Sequence, residues 1–478
     1  MAGIVVLGAG MVGLTTAILM AQDGHRVTVL ERDPAEPPEL TSAAWTDWER
    51  TGVNQFRHLH IMLPRWYQEM RREIPEVIDE LVNAGAGQLN LVGMLPPSLT
   101  GGRRPDDDRF DIVSARRPVL EAALAAVAAR TPGLHIARGV PVTGLIAEPA
   151  RNPGAPDVVG VLARGLAVRT DLVVDATGRR SAIPTFIEAI GARRPSEHRA
   201  DAGFVYYSRH YRADPAGGGV PQLTATMLSH FESVSLLTLP ADNDTWGVGV
   251  IASSRDKQCR ALRDELTWER VMALYPEQAQ WTAGTPITGI QSFAGIEDRS
   301  RSYLIDGEPV VTGLVAVGDA WACTNPSLGR GASLGLLHAL TLRDAVREAG
   351  VTTDLAAVFA ESTRLHVQPL FDKTVAVTNH RIAEIDADIV GQPYLTADQG
   401  WAMGNALYTA AHVDQEALRG YLSIAGLLAG PEEVFATPGL AGRVMQASAG
   451  APRYSRPGPS RAELIDAIGS PSMALAHR

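Results

Sequence analysis

Three features of the 478-residue sequence predict an α/β fold. The first thirty residues read as strand, glycine-rich turn, helix and strand; the middle holds short β-type runs broken by Gly, Pro and Asp/Asn; the last third is helical in pattern. The expected architecture is a Rossmann-like nucleotide-binding domain in two pieces, 1–182 and 304–345. A mostly antiparallel β-sheet inserted over 183–303 forms a substrate domain, and 346–478 forms a C-terminal helical region.

The first element carries the strongest signal. Ile4-Val5-Val6-Leu7 runs into Gly8-Ala9-Gly10-Met11-Val12-Gly13, an uncharged stretch continues to Gln22, and Gly24 stops it. His25 to Leu30 is a second β-type run ending on Glu31, followed by Arg32. This is a βαβ unit with the dinucleotide fingerprint in context. Gly8 permits the turn, Gly10 lets the backbone approach a pyrophosphate, and Gly13 lets helix and strand pack closely. Met11 and Val12 open the helix, whose free N–H groups suit phosphate. Glu31 lies near the offset of roughly 20 residues expected of the acid that takes a ribose hydroxyl. An acid there repels a 2′-phosphate, so the expected dinucleotide is FAD or NAD(H).

Composition narrows the partners. A net charge of −10 argues against nucleic acid. Cys259 and Cys323 are far apart and lack metal-ligand spacing, which predicts a reducing cytoplasm with no disulfide framework and no metal site. The uncharged stretch 1–22 is too glycine-rich for a membrane span, and no other run is long enough. Only Lys257 and Lys373 are lysines among 43 Lys and Arg residues.

Further along, Thr51 to His60 is a polar loop ahead of an amphipathic helix over Pro64 to Glu73. Its Arg57, His58 and His60 are either exposed loop polars or a surface facing the cofactor. A short strand over Phe110–Ser114 precedes an Ala-rich helix that opens at Arg117-Pro118 and runs to Arg130. Short β runs follow at His135–Ala137 and Val140–Ile146, then a hairpin over Asp157–Val168. Asp171 to Asp175 reads as a buried strand ending in Ala176-Thr177-Gly178-Arg179, where open α/β sheets bind ligands.

In the inserted sheet, strands are expected at Phe204–Ser208, Leu223–Met227, Val234–Leu239 and Thr245–Ile251. Arg209 to Arg212 would continue the first as solvated positions on an edge. Helix returns over Asp264–Ala273. Gly313 to Val317 is another buried strand, closing on Gly318-Asp319. Thr324 to Ser333 is a Gly/Pro loop whose N–H groups can face a ligand, and a long apolar helix follows. The rest, about Leu355 to Gly430, is helical, with Trp401, Tyr408 and Tyr421 read as core. Ala451–Pro459 reads as a linker before a short last helix.

Gly8-x-Gly10-x-x-Gly13 with Glu31, Asp175-Ala176-Thr177-Gly178-Arg179, and Gly318-Asp319 with its loop occur in this order. Together they resemble the FAD-binding domain of the p-hydroxybenzoate hydroxylase-like flavoproteins, over roughly residues 1–345. Gly52 to His60 and Val205-Tyr206-Tyr207-Ser208-Arg209 resemble the polyether and squalene-epoxidase-like members. The resemblance implies that Gly8, Gly10 and Gly13 hold the FAD pyrophosphate, Glu31 and Arg32 the adenosine ribose, and that the Val142 backbone lies by the adenine. Arg117 would reach the ribityl-pyrophosphate region, Asp175 and Gly178 would belong to the second motif, and Asp319 would bind the ribityl chain. The backbone at Pro326, Gly329, Gly331 and Ala332 would face the isoalloxazine, with Arg57 beside the cofactor.

The implied activity is an FAD-dependent monooxygenase of specialised metabolism. It would insert one oxygen atom of O₂ into an apolar alkene or aromatic substrate, by epoxidation or hydroxylation through a C4a-hydroperoxyflavin. The Asp-Ala core of the second motif departs from the Asp-Gly of hydroxylases that bind NADPH themselves. NADH or NADPH could therefore act directly or through a separate flavin reductase. No catalytic residue stands out; His58, Tyr206 and His210 are the substrate-side candidates. The alternatives are a reductase or dehydrogenase of a C=C bond, resembling geranylgeranyl reductases, a halogenase and a non-catalytic flavin protein. A halogenase needs a lysine and a Trp-x-Trp motif, and residues 1–256 contain neither.

Overall fold

A computed structural model describes residues 1–149, 155–214, 219–454 and 456–469. Its centre is a five-stranded parallel sheet in the order Leu314–Ala316, Leu172–Asp175, Gly3–Leu7, Arg26–Leu30 and Leu134–Ala137. Parallel strands covered on both faces read as continuous apolar runs, and Gly3–Leu7 shows why. Ile4 and Val6 pack with Leu14, Leu120 and Leu336, whereas Val5 and Leu7 pack with Leu145, Val161 and Val173. The first set belongs to the helices Met11–Gln22, Arg117–Arg130 and Gly331–Ala349. The second face is covered by the antiparallel strands Val142–Glu148, Asp157–Ala163 and Leu166–Arg169. Helix Pro64–Glu73 forms where the amphipathic spacing places it.

An antiparallel sheet stands beside this layer, in the order Leu228–Phe231, Val234–Pro240, Thr245–Ser253 and Phe204–Arg212. Short strands at Thr285–Pro286 and Gln291–Phe293 both pair with Phe204–Arg212. Two expectations fail here. Leu223–Met227 makes no strand; the strand begins at Leu228, with only the Met227 carbonyl before it bonded to the neighbouring strand, and Leu223 and Thr226 wall a cavity instead. Arg209 to Tyr211 are not on an edge either. Their strand has neighbours on both sides, and Arg209, His210 and Tyr211 are buried, with Trp268 Nε1 donating to the Tyr211 hydroxyl at 2.9 Å.

One face of this sheet, carrying Tyr206, Ser208 and His210, is roofed by the loop 51–63. Leu59 seats on two glycines of the neighbouring strand; a Cβ at Gly247 would come within 1.8 Å of it. The C-terminal helices Leu355–His366, Gln368–Ile389, Gln399–Ala410 and Gln415–Ala425 close the remaining side. The last helix spans Arg461–Gly469; Ser455 of the linker and residues 470–478 lie outside the described residues. Among the described residues no helix is long and apolar enough to cross a membrane. Cys259 and Cys323 are both free and buried.

Candidate active site

A continuous cavity of about 1020 Å³ runs from the Gly8–Val12 turn, past the C-terminal ends of the parallel strands, to the space between the antiparallel sheet and the C-terminal helices. It slightly exceeds the range of about 300–1,000 Å³ usual for one small-molecule site, which suits a large cofactor together with a substrate.

At the nucleotide end the three fingerprint glycines play different parts. Gly8 has φ +98°, and a Cβ on it would lie 2.8 Å from the Ala176 carbonyl oxygen. A Cβ on Gly13 would sit 2.0 Å from the Gly8 carbonyl oxygen, so Gly13 is fixed by packing and does not line the cavity. A Cβ on Gly10 would meet nothing within 4 Å, because that position faces the open cleft at the N-terminus of helix Met11–Gln22. A bare backbone, open space and unpaired helix N–H groups together fit a pyrophosphate.

Glu31 lines the cleft, but its carboxylate is already engaged. Oε2 accepts from the Ala9 N–H and from Arg50, both at 2.7 Å, and Oε1 accepts from the Asp33 N–H at 2.9 Å. Arg50 also bonds Glu121, which accepts from Arg117 at 2.7 Å, and Arg117 reaches His60 Nε2 at 3.2 Å. A buried chain of charge thus ties the end of strand Arg26–Leu30 to the loop 50–60. Its two arginines hold the fully buried Glu121 carboxyl below its ordinary value, against the opposing effect of burial. Glu121 follows Arg117 at the (i, i+4) spacing that juxtaposes helical side chains, so that pair was legible in advance. Arg50 carried no such signal.

Arg32, Met11, Val12, Arg117, Val142, Gly178, Asp319, Pro326, Gly329, Gly331 and Ala332 all line the cavity. Asp319 is exposed to the cavity, and desolvation by the surrounding protein raises its carboxyl, opposed by the fields of Arg117 and Arg179. Pro326–Leu328 is a short 3₁₀ turn capped by Asn325, whose side chain accepts from the Ser327 N–H at 3.2 Å. Gly329 turns the chain at φ +66° into helix Gly331–Ala349.

Besides Gly13, five placements differ from expectation. Arg57 faces away from the cleft: it donates to the Trp45 and Trp48 carbonyls, pairs with Glu49 and stacks 4.8 Å from the Trp45 ring. Asp175 is fully buried and builds the turn rather than touching a ligand, accepting from the Thr177 N–H at 3.0 Å and from the Thr177 and Ser181 hydroxyls. His58, Tyr206 and His210 sit behind the cavity wall. His58 bonds the Ser208 hydroxyl at 3.2 Å, His210 packs 4.9 Å from Trp45, and the Tyr206 hydroxyl donates to the Asn325 side chain. Burial lowers His58 to about 4 and His210 to about 3, so both are neutral at ordinary pH.

The far half of the cavity is the part sequence reasoning missed. Phe204, Leu237 and Ile251 supply its sheet side; Trp401, Tyr408 and Tyr421, read as core aromatics, supply its helix side. Lys373 lines it too, but its ammonium donates to both carboxylate oxygens of Glu432, at 3.0 and 2.9 Å. Among the described residues no group of three or more His, Cys, Asp or Glu is placed to hold a metal ion.

Residues 3–116 match the family described as FAD dependent oxidoreductase (DAO). Protein Rv3254 of Mycobacterium tuberculosis is 30% identical over 391 residues, covering 77% of this chain and 78% of that protein. The structure of Pseudomonas aeruginosa PqsL in complex with 2-aminobenzoylacetate aligns with a TM-score of 0.60 at 14% identity, over 81% of this chain and 97% of that one. The flavin-dependent halogenase CmlS aligns at 0.58 and 14%, over 91% and 76%. At these identities the likeness shows the fold alone.

Proposed function

This chain belongs to the same family as protein Rv3254 and is an FAD-dependent oxidoreductase, and from that premise we propose that it is a monooxygenase. It places one oxygen atom of O₂ on an apolar alkene or aromatic substrate. The observation that carries this reading is that one cavity is lined by the Gly8–Val12 turn, by the Pro326–Ala332 loop and by the apolar residues Phe204, Leu237 and Ile251.

Bound FAD supplies two-electron chemistry and, once reduced, the activation of O₂. Gly8, Gly10 and the N-terminus of helix Met11–Gln22 hold its pyrophosphate, and Asp319 accepts hydrogen bonds from the hydroxyls of its ribityl chain. The Pro326–Ala332 loop and the positive end of helix Gly331–Ala349 would lie by the ring of bound FAD and would favour the negative charge it gains on reduction. Tyr206 acts as a positioning residue, since its hydroxyl holds the Asn325 cap of that loop. Phe204, Leu237 and Ile251 face Trp401 and Tyr408 across the chamber, exclude water and orient an apolar substrate. The antiparallel sheet over 183–303 is then the substrate side. Electrons come from NADH or NADPH, directly or through a separate flavin reductase.

Halogenation is disfavoured by the lysines. Lys257 is exposed and does not line the cavity, and Lys373 is bound to Glu432. The test is oxygen uptake by the FAD-loaded protein with NAD(P)H and a flavin reductase, with and without aryl and polyene compounds. Substrate-stimulated uptake of one O₂ per oxygenated product supports the assignment. Anaerobic saturation of a C=C bond would instead make it a reductase.

A further inference from the structure

Arg330 lies in the flavin-facing loop between Gly329 and Gly331, yet its guanidinium turns toward the C-terminal helices. One terminal nitrogen donates to the Thr374 hydroxyl at 3.2 Å, the other to the Ile424 carbonyl at 3.0 Å, and the Nε–H has no partner. The side chain lines the apolar half of the cavity and is 8% exposed. Seven other arginines among the described residues are as deeply buried: 50, 116, 209, 301, 343, 381 and 419. Each of those pairs with a carboxylate. Arg330 alone has none within 4.0 Å, and the one group whose field favours its charge is the Tyr421 phenol. Burial lowers it only to about 10, so it keeps its charge at neutral pH.

A buried cation without a counter-ion is costly, and proteins keep one where a ligand completes it. A planar guanidinium matches a carboxylate: the Nε–H is closed off from the cavity, and the second N–H of each terminal nitrogen is left to make two parallel hydrogen bonds. A phosphate dianion would call for more cationic partners than this chamber holds. We propose that Arg330 receives the carboxylate of the substrate, which defines the substrate class as aromatic or polyunsaturated carboxylic acids. The acid is anchored beside Tyr421 and Ile424, which line the cavity with Arg330, and the apolar body lies toward Phe204, Leu237 and Ile251 on the sheet. This rests on the oxygenation reading for what happens to the bound acid, but not for its binding.

The test uses the FAD-loaded oxidised protein and two probes of equal shape, 2-naphthoate and 2-naphthalenemethanol, titrated by calorimetry. The wild type should prefer the carboxylate by at least about tenfold. Arg330→Gln should abolish the preference without weakening the alcohol, and Arg330→Lys should restore part of it. A second measurement separates ligand binding from a structural role. Arg330→Met should melt at least as high as the wild type, whereas Arg419→Met, which breaks the buried pair with Asp107, should melt lower. Equal binding of both probes, no binding of naphthoate, an undiminished preference in Arg330→Gln, or a fall in melting as large as that of Arg419→Met would each overturn the proposal. No turnover is needed, so failure here and failure of substrate-stimulated oxygen uptake are separate results.

Discussion

Adding one methyl group to Gly10 or to Gly13 should have opposite consequences, and the contrast isolates what the fingerprint does. At Gly13 the added Cβ would lie 2.0 Å from the Gly8 carbonyl oxygen, well inside contact distance, so helix Met11–Gln22 must lift off strand Gly3–Leu7. Overpacking of this kind costs about 1–3 kcal/mol where side chains can yield, and backbone cannot, so Gly13→Ala should lose at least about 3 kcal/mol. At Gly10 the Cβ meets nothing within 4 Å, and its φ of −84° suits alanine. The apoprotein should therefore hold its stability to within about 1 kcal/mol. The same methyl projects into the cleft where the pyrophosphate must approach. Losing one or two charge-assisted hydrogen bonds of about 1.5–3 kcal/mol each should weaken FAD by about ten- to a hundredfold or more. Chemical denaturation of the apoproteins and FAD titration by fluorescence quenching read the two effects. Unchanged FAD affinity in Gly10→Ala, or an apoprotein as unstable as Gly13→Ala, would refute the reasoning.

Three further predictions follow from other parts of the site. His58, His60, His210, His230, His338 and His412 are all lowered from 6.5 by burial, to about 4 for His58 and His412 and about 3 for His60, His210 and His338. The unfolded chain takes up protons below pH 6.5 that the folded one refuses, so stability should fall on acidification by up to about 1.4 kcal/mol per pH unit per histidine; a melting temperature flat from pH 6.5 to 4.5 would contradict this. Arg50→Met leaves Glu31 without its buried cation and Glu121 with only Arg117, and should cost about 3–5 kcal/mol by urea denaturation. Tyr206→Phe removes the bond to the Asn325 cap and should weaken FAD severalfold, at about 0.5–1.5 kcal/mol; an effect on turnover alone would place Tyr206 against substrate instead.

The nucleotide end was legible because backbone conformation dictates it. Only glycine tolerates the φ of Gly8 and the contact at Gly13, so the residue type announces the geometry. Asp319 and the Gly329–Gly331 loop were readable for the same reason, since they close buried strands with turn residues. Asp175 shows the limit of that logic: an acid at a strand end can face a ligand or cap its own turn, and here Thr177 and Ser181 take it. Arg57, with Trp45 and Glu49 as partners, fails likewise because spacing does not say which way a loop side chain turns. The chamber was invisible because its walls, Ile251 and Trp401 among them, lie 150 residues apart and meet only through tertiary packing. A core aromatic and a cavity-lining aromatic follow the same helical spacing. Arg330 was hidden by its motif, where the glycines on either side drew the explanation.

The most direct test of the central claim follows the oxygen atoms. The FAD-loaded protein is reduced without air, then mixed with ¹⁸O₂ and a panel of aryl and polyene carboxylic acids, and the products are weighed by mass spectrometry. The account predicts a product carrying one ¹⁸O atom, with the second atom of O₂ appearing in water. Products heavier only by two hydrogens, or oxygen returned wholly as hydrogen peroxide whatever acid is present, would contradict it.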